Sequence, residues 1–420
     1  MLTYCMRKRL FLLSREPLKA AVSPQQRRCE SGGSVLDLQH FVSSGGTGRR
    51  STYGPLGTEL KRNVLQQWWT AVVSLQPQVF GISTPCSSTE RRTLKTEDGE
   101  ALGEQLKLFQ HDQSLRTSLL QGALEQFVPS LELLNKKLPF GLAEIGLCYQ
   151  PEPERAGTSG CFSEVTKASL VWFCSFRTSS QWLDYWARQR LQWWRKFALG
   201  PSDFSVCDVL SEELEEGASR GVKVLYQFPS GSETLETLWS FGDTKLLKTH
   251  HGSRAKLQCR EGRTSVVPHV LSVSANMDKG VLAFLYNSLQ PVQKVDSKQR
   301  LHQRKVLKLH PTLAPVKVAL DMGRGSTSEL RQVCEGLLQE FLEAGIYSWP
   351  GYLDSTYSSM QSLHAKYDEM GVLFTVLITD ITLENGLLMV RNRNTTVKET
   401  MHISEIKQFL LKYISAAENI

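Results

Sequence analysis

VVPHVLSVSANMDKGVLAFLYNSL, residues 266–289, changes character at its middle. Its β-branched first part, through Val273, reads as a buried strand. Val281, Leu282, Leu285 and Leu289 then recur at helical spacing, so the strand runs straight into an amphipathic helix. The junction carries Ser272, Asn276, Asp278 and Lys279.

Two earlier stretches belong with this one. Tyr53-Gly54-Pro55-Leu56-Gly57 leads into a helix expected over 58–73, with Leu60, Val64 and Trp68 on one face. Residues 140–152, FGLAEIGLCYQPE, read as a second strand. In this order the three stretches resemble the signature motifs of class II aminoacyl-tRNA synthetases of the glycyl type. The resemblance implies an α+β domain on an antiparallel sheet, with the 58–73 helix and the strand after it at a dimer interface. It also implies where ATP chemistry would sit. In that family the second motif supplies an Arg that grips the α-phosphate. The third supplies a Glu that helps hold ATP and its metal, a Gly, and an Arg that clamps the phosphates. The matching positions here include Gln150, Ser272, Asn276 and Lys279. A neutral Gln150 cannot serve as a guanidinium clamp. The expectation is a synthetase-like fold with degenerate catalytic positions, no cofactor, no metal and no enzymatic activity.

Composition sets the frame. A chain of 420 residues, 41% hydrophobic and 22% charged, is globular and divides into two or three domains. No apolar run reaches the ~18 residues of a membrane span. Nine scattered cysteines without a C-x-x-C pair argue for reduced thiols and against a zinc site. Residues 1–50 hold nine basic against three acidic side chains and so carry +6 of the chain's +7. The Arg-rich, acid-poor stretch 1–28 reads as a mitochondrial transit peptide, with a disordered basic tail as the alternative. Residues 29–52 read as a flexible segment. Without the leader the chain is almost neutral, so polyanion binding must come from local patches.

The synthetase-like domain is expected over 53–293. Within it, 105–138 reads as helical, with Leu119, Ala123, Phe127, Leu131 and Leu134 spaced for one face; it serves either self-association or packing on the sheet. Around residue 190, Trp182, Trp186, Trp193 and Phe197 fall on a helical stripe, with Arg188, Arg190, Arg195 and Lys196 expected outward. Residues 208–216 read as an acidic solvated loop. Two basic patches are candidate DNA contacts. Lys245, Lys248, Arg254, Lys256, Arg260 and Arg263 lie in a stretch read as a loop or hairpin. Lys298, Arg300, Arg304 and Lys305 lie in a basic linker over 294–310.

Residues 311–420 read as a separate α/β domain with a mostly parallel sheet. Ser326-x-x-Glu329 reads as a capping box. Leu383-Glu384-Asn385-Gly386-Leu387 reads as a hairpin turn whose apolar tip is the candidate partner-binding surface, with φ > 0 at Gly386. Leu313-Ala314-Pro315-x-Lys317-Val318 and Val390-Arg391-x-Arg393-x-Thr395 resemble the anticodon-binding domain of the glycyl/prolyl synthetases.

Three long phrases sharpen the resemblance: LVWF…RTSSQWLDYW…RLQWWRKFA, KVLKLHPTLAPVKVALDMGRG and KYDEMGVLFTVLITDITLENG. They resemble the accessory subunits of mitochondrial DNA polymerase gamma. That resemblance implies a catalytically inert homodimer of the mitochondrial matrix and nucleoid. Such a subunit binds the catalytic subunit and double-stranded or primer-template DNA and raises processivity. The alternatives are an active glycyl-tRNA synthetase and a synthetase-like tRNA-binding protein.

Overall fold

The computed structural model describes residues 41–44, 51–88, 114–151, 162–251, 254–261, 264–295, 301–323, 326–354 and 359–418. The leader, Arg263, Lys298 and Arg300 lie outside them, as does the first part of the 105–138 segment.

A seven-stranded sheet forms the centre. Its order is Val79–Gly81, Phe140–Pro151, Phe162–Cys174, His269–Asn276, Gly231–Gly242, Arg220–Phe228, Phe204–Asp208. Only the first pair is parallel; the other five are antiparallel. Side chains alternate across the strands, as a pleat requires. On Phe162–Cys174, Leu170, Trp172 and Cys174 face one core cluster, while Val171 and Phe173 face another.

The first cluster packs under three helices. Pro55–Trp69 turns inward Leu60, Val64 and Trp68, as its periodicity predicts, and continues into a wider π-helical turn, Thr70–Ser74. Ser179–Lys196 buries Trp186, Trp193 and Trp194. Met277–Ser288 buries Val281, Phe284 and Leu285. Its Gly280 sits against the Trp194 indole, where an added Cβ would lie 2.5 Å from the ring, so only glycine permits this approach. The second cluster holds two short helices, Leu120–Glu125 and Phe127–Leu133, against the opposite face of the sheet. Of the two uses open to the 105–138 segment, its described part thus packs on the sheet. Leu119, Ala123, Phe127 and Leu131 are buried there, as their spacing predicts.

The stretch expected as a basic linker contains an antiparallel hairpin, Leu289–Val295 with Leu301–Leu307, which pairs Val292 with Arg304 and Pro291 with Lys305. Backbone pairing over both arms overrides the charge that suggested a solvated chain. Asn63 Nδ2 then donates to the carbonyls of Leu313 and Ala314, tying the first helix to the segment that follows the hairpin.

The last sheet has the order Ser348–Trp349, Val318–Met322, Phe374–Ile378, Leu387–Asn392, Lys398–His402. Two of its pairings are parallel and two antiparallel, so it is mixed rather than mostly parallel. The strand Lys398–His402 went unread in the sequence. Helix Thr327–Glu343 begins at Ser326, but no side-chain cap forms. Asp380 Oδ1 instead accepts the Ser326 N–H at 3.2 Å. The supposed 383–387 hairpin turn is a short helix, Asp380–Asn385. A reciprocal Thr379–Thr382 capping box starts it, and Gly386 ends it at φ 69°. The positive φ at Gly386 agrees with expectation; the turn type does not.

Buried polar groups hold this sheet together. Arg391 grips Asp368 through two bonds of 2.8 and 2.9 Å. Arg393 donates to the carbonyls of Gly371 and Leu309, and burial lowers its pKa to about 10. Asp321 is 3% exposed and accepts from Tyr367 Oη at 2.9 Å, while its Oδ2 has no partner. Burial raises its pKa to about 6. Its protonated form therefore stabilises the fold below pH ~4, and that contribution disappears as pH rises through ~6. Asp321→Asn keeps an acceptor for Tyr367 without the buried charge. We expect it to stabilise the protein at pH 7.5 by up to ~3 kcal/mol, and by about half of that at pH 5, where the carboxyl is mostly protonated in the folded state but still ionised in the unfolded one. Denaturant midpoints at the two pH values check this; an equal change at both would exclude the titration.

Candidate functional site

The residues matched to synthetase chemistry are only partly brought together. A cavity of about 510 Å³ on the sheet is lined by residues that include Gln150, Lys167, Glu215, Thr237, Ser272 and Ser274. Gln150 and Ser272 share it. Asn276 and Lys279 do not line it. Asn276 caps helix Met277–Ser288, its Oδ1 accepting the Lys279 N–H at 3.0 Å. The Lys279 ammonium lies 2.9 Å from Glu233, on strand Gly231–Gly242. Among the described lining residues the only cation is Lys167, whose Nζ donates to the Thr117 carbonyl at 2.9 Å. The cavity is mainly hydroxyl and amide, without the fixed guanidinium that phosphate charge calls for.

Asp278 plays a structural part instead. It accepts from Tyr53 Oη at 2.6 Å, from Lys61 Nζ at 2.7 Å and from the Thr166 N–H at 2.7 Å. It thus joins the first motif's helix, the second motif's hairpin and the third motif's helix. Burial and this carboxylate push the Tyr53 hydroxyl far above its ordinary pKa.

Arg190, expected outward, is 2% exposed. Its Nε donates to Glu236 Oε1 at 2.8 Å, while Trp194 Nε1 donates to Oε2 at 2.7 Å. The guanidinium also lies 4.6 Å from the Trp193 ring centre and 5.6 Å from that of Trp68. Arg188, Arg195 and Lys196 are exposed, as expected.

The first basic patch divides into two parts. Lys245 and Lys248 sit on a short helix, Thr244–Thr249, and pair with Glu215 and Glu216 at 3.5 and 3.9 Å. The acidic loop read as solvated is thus their counter-charge. Arg254 and Lys256 lie on a single 3₁₀ turn, and Arg260 on a two-stranded hairpin of Cys259–Glu261 with Thr264–Val266. All three are exposed, and none has an ion pair among the described residues. Buried Leu257 and Cys259 anchor the segment in the second core cluster. The Arg260 N–H donates to the Lys136 carbonyl at 2.6 Å, and Lys137 bridges Arg260. Exposed Lys136 and Lys137 therefore join the patch, although sequence separation hid them. In the second patch, Arg304 and Lys305 lie on an arm of the 289–307 hairpin. On the short helix ahead of Gly386, Leu383 is 37% and Ile381 is 55% exposed, with Glu384 and Asn385 also outward; Leu387 is half-buried.

Comparison with known proteins agrees with this geometry. The anticodon binding domain family matches residues 314–413. A solved prolyl-tRNA synthetase from Cryptosporidium parvum superposes with a TM-score of 0.62 over 90% of this chain and 76% of its own, at 12% identity, which establishes the class II fold. The glycine–tRNA ligase of Thermus thermophilus is 27% identical over 70% of this chain and 62% of its own length. The chain is also 51% identical to the mitochondrial DNA polymerase subunit gamma-2 of Xenopus laevis, over 87% of this chain and 82% of that protein. Half of the aligned residues shared over most of both lengths, on a synthetase fold, show that the chain belongs to the family of DNA polymerase gamma accessory subunits, the gamma-2 subunits.

Proposed function

We propose that the protein is a non-catalytic accessory subunit that binds the catalytic subunit of DNA polymerase gamma together with duplex or primer-template DNA and raises processivity. Its place on this reading is the mitochondrial matrix and nucleoid. The basic leader and the word "mitochondrial" in the name of the Xenopus laevis relative support that location. The observation that carries the DNA-binding part is the exposed patch of Lys136, Lys137, Arg254, Lys256 and Arg260, free of ion pairs among the described residues. Main-chain-positioned cations without a groove-reading element suit sugar–phosphate contacts without base specificity. Inertness as a synthetase is supported by the pocket's chemistry, with Gln150 and Ser272 present and Lys279 held elsewhere. Glycine-dependent ATP–pyrophosphate exchange by the purified protein would refute it.

We place the isologous contact of a homodimer on helix Pro55–Trp69, where Lys61, Arg62, Leu65 and Trp69 line a shallow, mainly apolar groove with Ile145. The partner surface is the 381–387 segment, where two apolar side chains stand exposed on one short helix. The test is reconstitution of the protein with the polymerase catalytic subunit on a primed template. Wild-type protein should lengthen the products. Ile381→Asp with Leu383→Asp should lower that stimulation about tenfold or more, as loss of a central apolar contact does, with dimerisation and DNA affinity retained. Undiminished stimulation would move the partner surface elsewhere. Co-purification of tRNA in place of the polymerase would favour the synthetase-like tRNA-binding alternative.

A further inference from the structure

Residues 175–178 join strand Phe162–Cys174 to helix Ser179–Lys196. Phe176 in this loop is 57% exposed. Short-range hydrogen bonds order the loop. Ser175 Oγ accepts the Arg177 N–H at 3.3 Å, and the Thr178 N–H and Oγ both donate to the Ser175 carbonyl, at 3.1 and 3.3 Å. Ser179 Oγ donates to the Phe176 carbonyl at 3.0 Å. Phe176 therefore stands outward on a fixed turn. The Arg177 guanidinium lies 5.8 Å from the centre of its ring, and the His269 ring centre 6.0 Å from it. Arg177 is exposed and makes no ion pair among the described residues. Ser175 Oγ also donates to Glu261 Oε2 at 2.8 Å. Glu261 ends the strand Cys259–Glu261 that carries Arg260, so the loop adjoins the hairpin of the basic patch. A single exposed apolar side chain is ordinary. This one is aromatic, lies beside an unpaired cation and is tied to a segment carrying several more.

We propose that Phe176 is a stacking platform for an unpaired DNA base and that Arg177 takes an adjoining phosphate, so that the protein holds single-stranded DNA where a duplex seated on the basic patch ends. This rests on the reading of that patch as the DNA surface. The charge favours a nucleic acid over an apolar protein partner. The carboxylate bonded to this loop, Glu261, is engaged by Ser175, while Arg177 and Arg260 have no carboxylate partner among the described residues. Every base offers a flat π face that an aromatic ring can cover, whatever the sequence. Within a duplex those faces are covered by neighbouring bases, so the ring can reach only an unpaired base. The loop therefore selects the single-stranded arm of a primer-template over a blunt duplex. Phosphate contacts alone carry no such dependence on the bases.

The test uses the full-length protein and three labelled DNAs, titrated by fluorescence anisotropy at one salt concentration. They are a blunt duplex, the same duplex with a thymidine extension, and the same duplex with an equally long extension of abasic nucleotides. The abasic extension keeps the phosphates and removes the bases. Wild-type protein should bind the thymidine extension about fivefold or more tightly than the abasic one, the low end for one stacked base. Phe176→Ala should bring the two extensions to equal affinity and leave the blunt duplex unchanged. Phe176→Trp should keep the preference. Arg177→Ala should weaken both extended DNAs by the same factor. Both side chains are exposed, so these variants should fold, which their thermal midpoints check. The inference is overturned if the wild type binds the two extensions equally or if Phe176→Ala keeps the preference. Should that variant keep the preference and lose polymerase stimulation, Phe176 belongs to a protein contact. Failure to bind even the blunt duplex would overturn the reading of the patch along with this inference, whereas equal binding of the two extensions overturns the inference alone.

Discussion

Glu236→Ala should destabilise the protein by about 3–5 kcal/mol, the range found when one partner of a buried ion pair is removed. Folded domains hold only ~5–15 kcal/mol in total, so this one change removes a large fraction of the reserve. The reason is local. The Glu236 side chain is fully buried and is the single carboxylate serving both Arg190 and Trp194. Without it, a buried guanidinium remains beside the Trp68 and Trp193 rings with no carboxylate partner among the described residues. The expected result is a large fall in thermal midpoint, with recovery of soluble protein reduced to match. Pairing Glu236→Leu with Arg190→Met should restore much of the loss, because the cost lies in the unpaired charge rather than in a missing attraction. If the single and double variants melt together, the network contributes by shape alone.

That network also marks where the sequence was legible and where it was not. The Leu60, Val64, Trp68 stripe and the strand-to-helix junction at 266–289 are local periodicities, and the helix and strand they predict are present. The motif order carried the class II fold for the same reason: each motif is one continuous stretch. Arg190 reads as outward on residue type, because an isolated buried charge is costly. Its position told otherwise, since 186, 190, 193 and 197 form one helical stripe. Its partner is 46 residues away on a strand, and no local pattern announces it. The 383–387 segment failed differently. Asn-Gly suggested a hairpin, but Thr379 and Thr382 formed a capping box, and Gly386 became a helix C-cap. Of the four positions matched to the synthetase motifs, only Gln150 and Ser272 share the pocket, because helix Met277–Ser288 carries Lys279 away towards Glu233. The basic patch was half legible. A run of cations in sequence includes members that are already neutralised, and it omits Lys136 and Lys137, which reach Arg260 only through a long-range backbone contact.

This last distinction leads to a sharp expectation for DNA binding. Lys136, Lys137, Arg254, Lys256 and Arg260 are exposed and without carboxylate partners among the described residues, so each can neutralise a phosphate and release a counterion. Replacing all five with Ala should reduce the magnitude of the log–log salt slope by up to ~4.5, at about 0.9 per contact. The loss of affinity should therefore be largest at low salt and should shrink as salt rises. Lys245→Ala with Lys248→Ala removes nearly as concentrated a charge from sequence, but those side chains face Glu215 and Glu216. Their removal also frees two carboxylates, so a modest uniform weakening with little change in slope is expected. Titrations of a duplex of arbitrary sequence over a range of salt concentrations separate the two cases. The five patch side chains and Lys248 are exposed and Lys245 is half-buried over the Phe241 ring, so the five-residue variant should fold normally and the double variant should lose little stability. An unchanged slope in the five-residue variant would move the DNA surface off this face, and the hairpin over 289–307, with Arg304 and Lys305, would become the place to look.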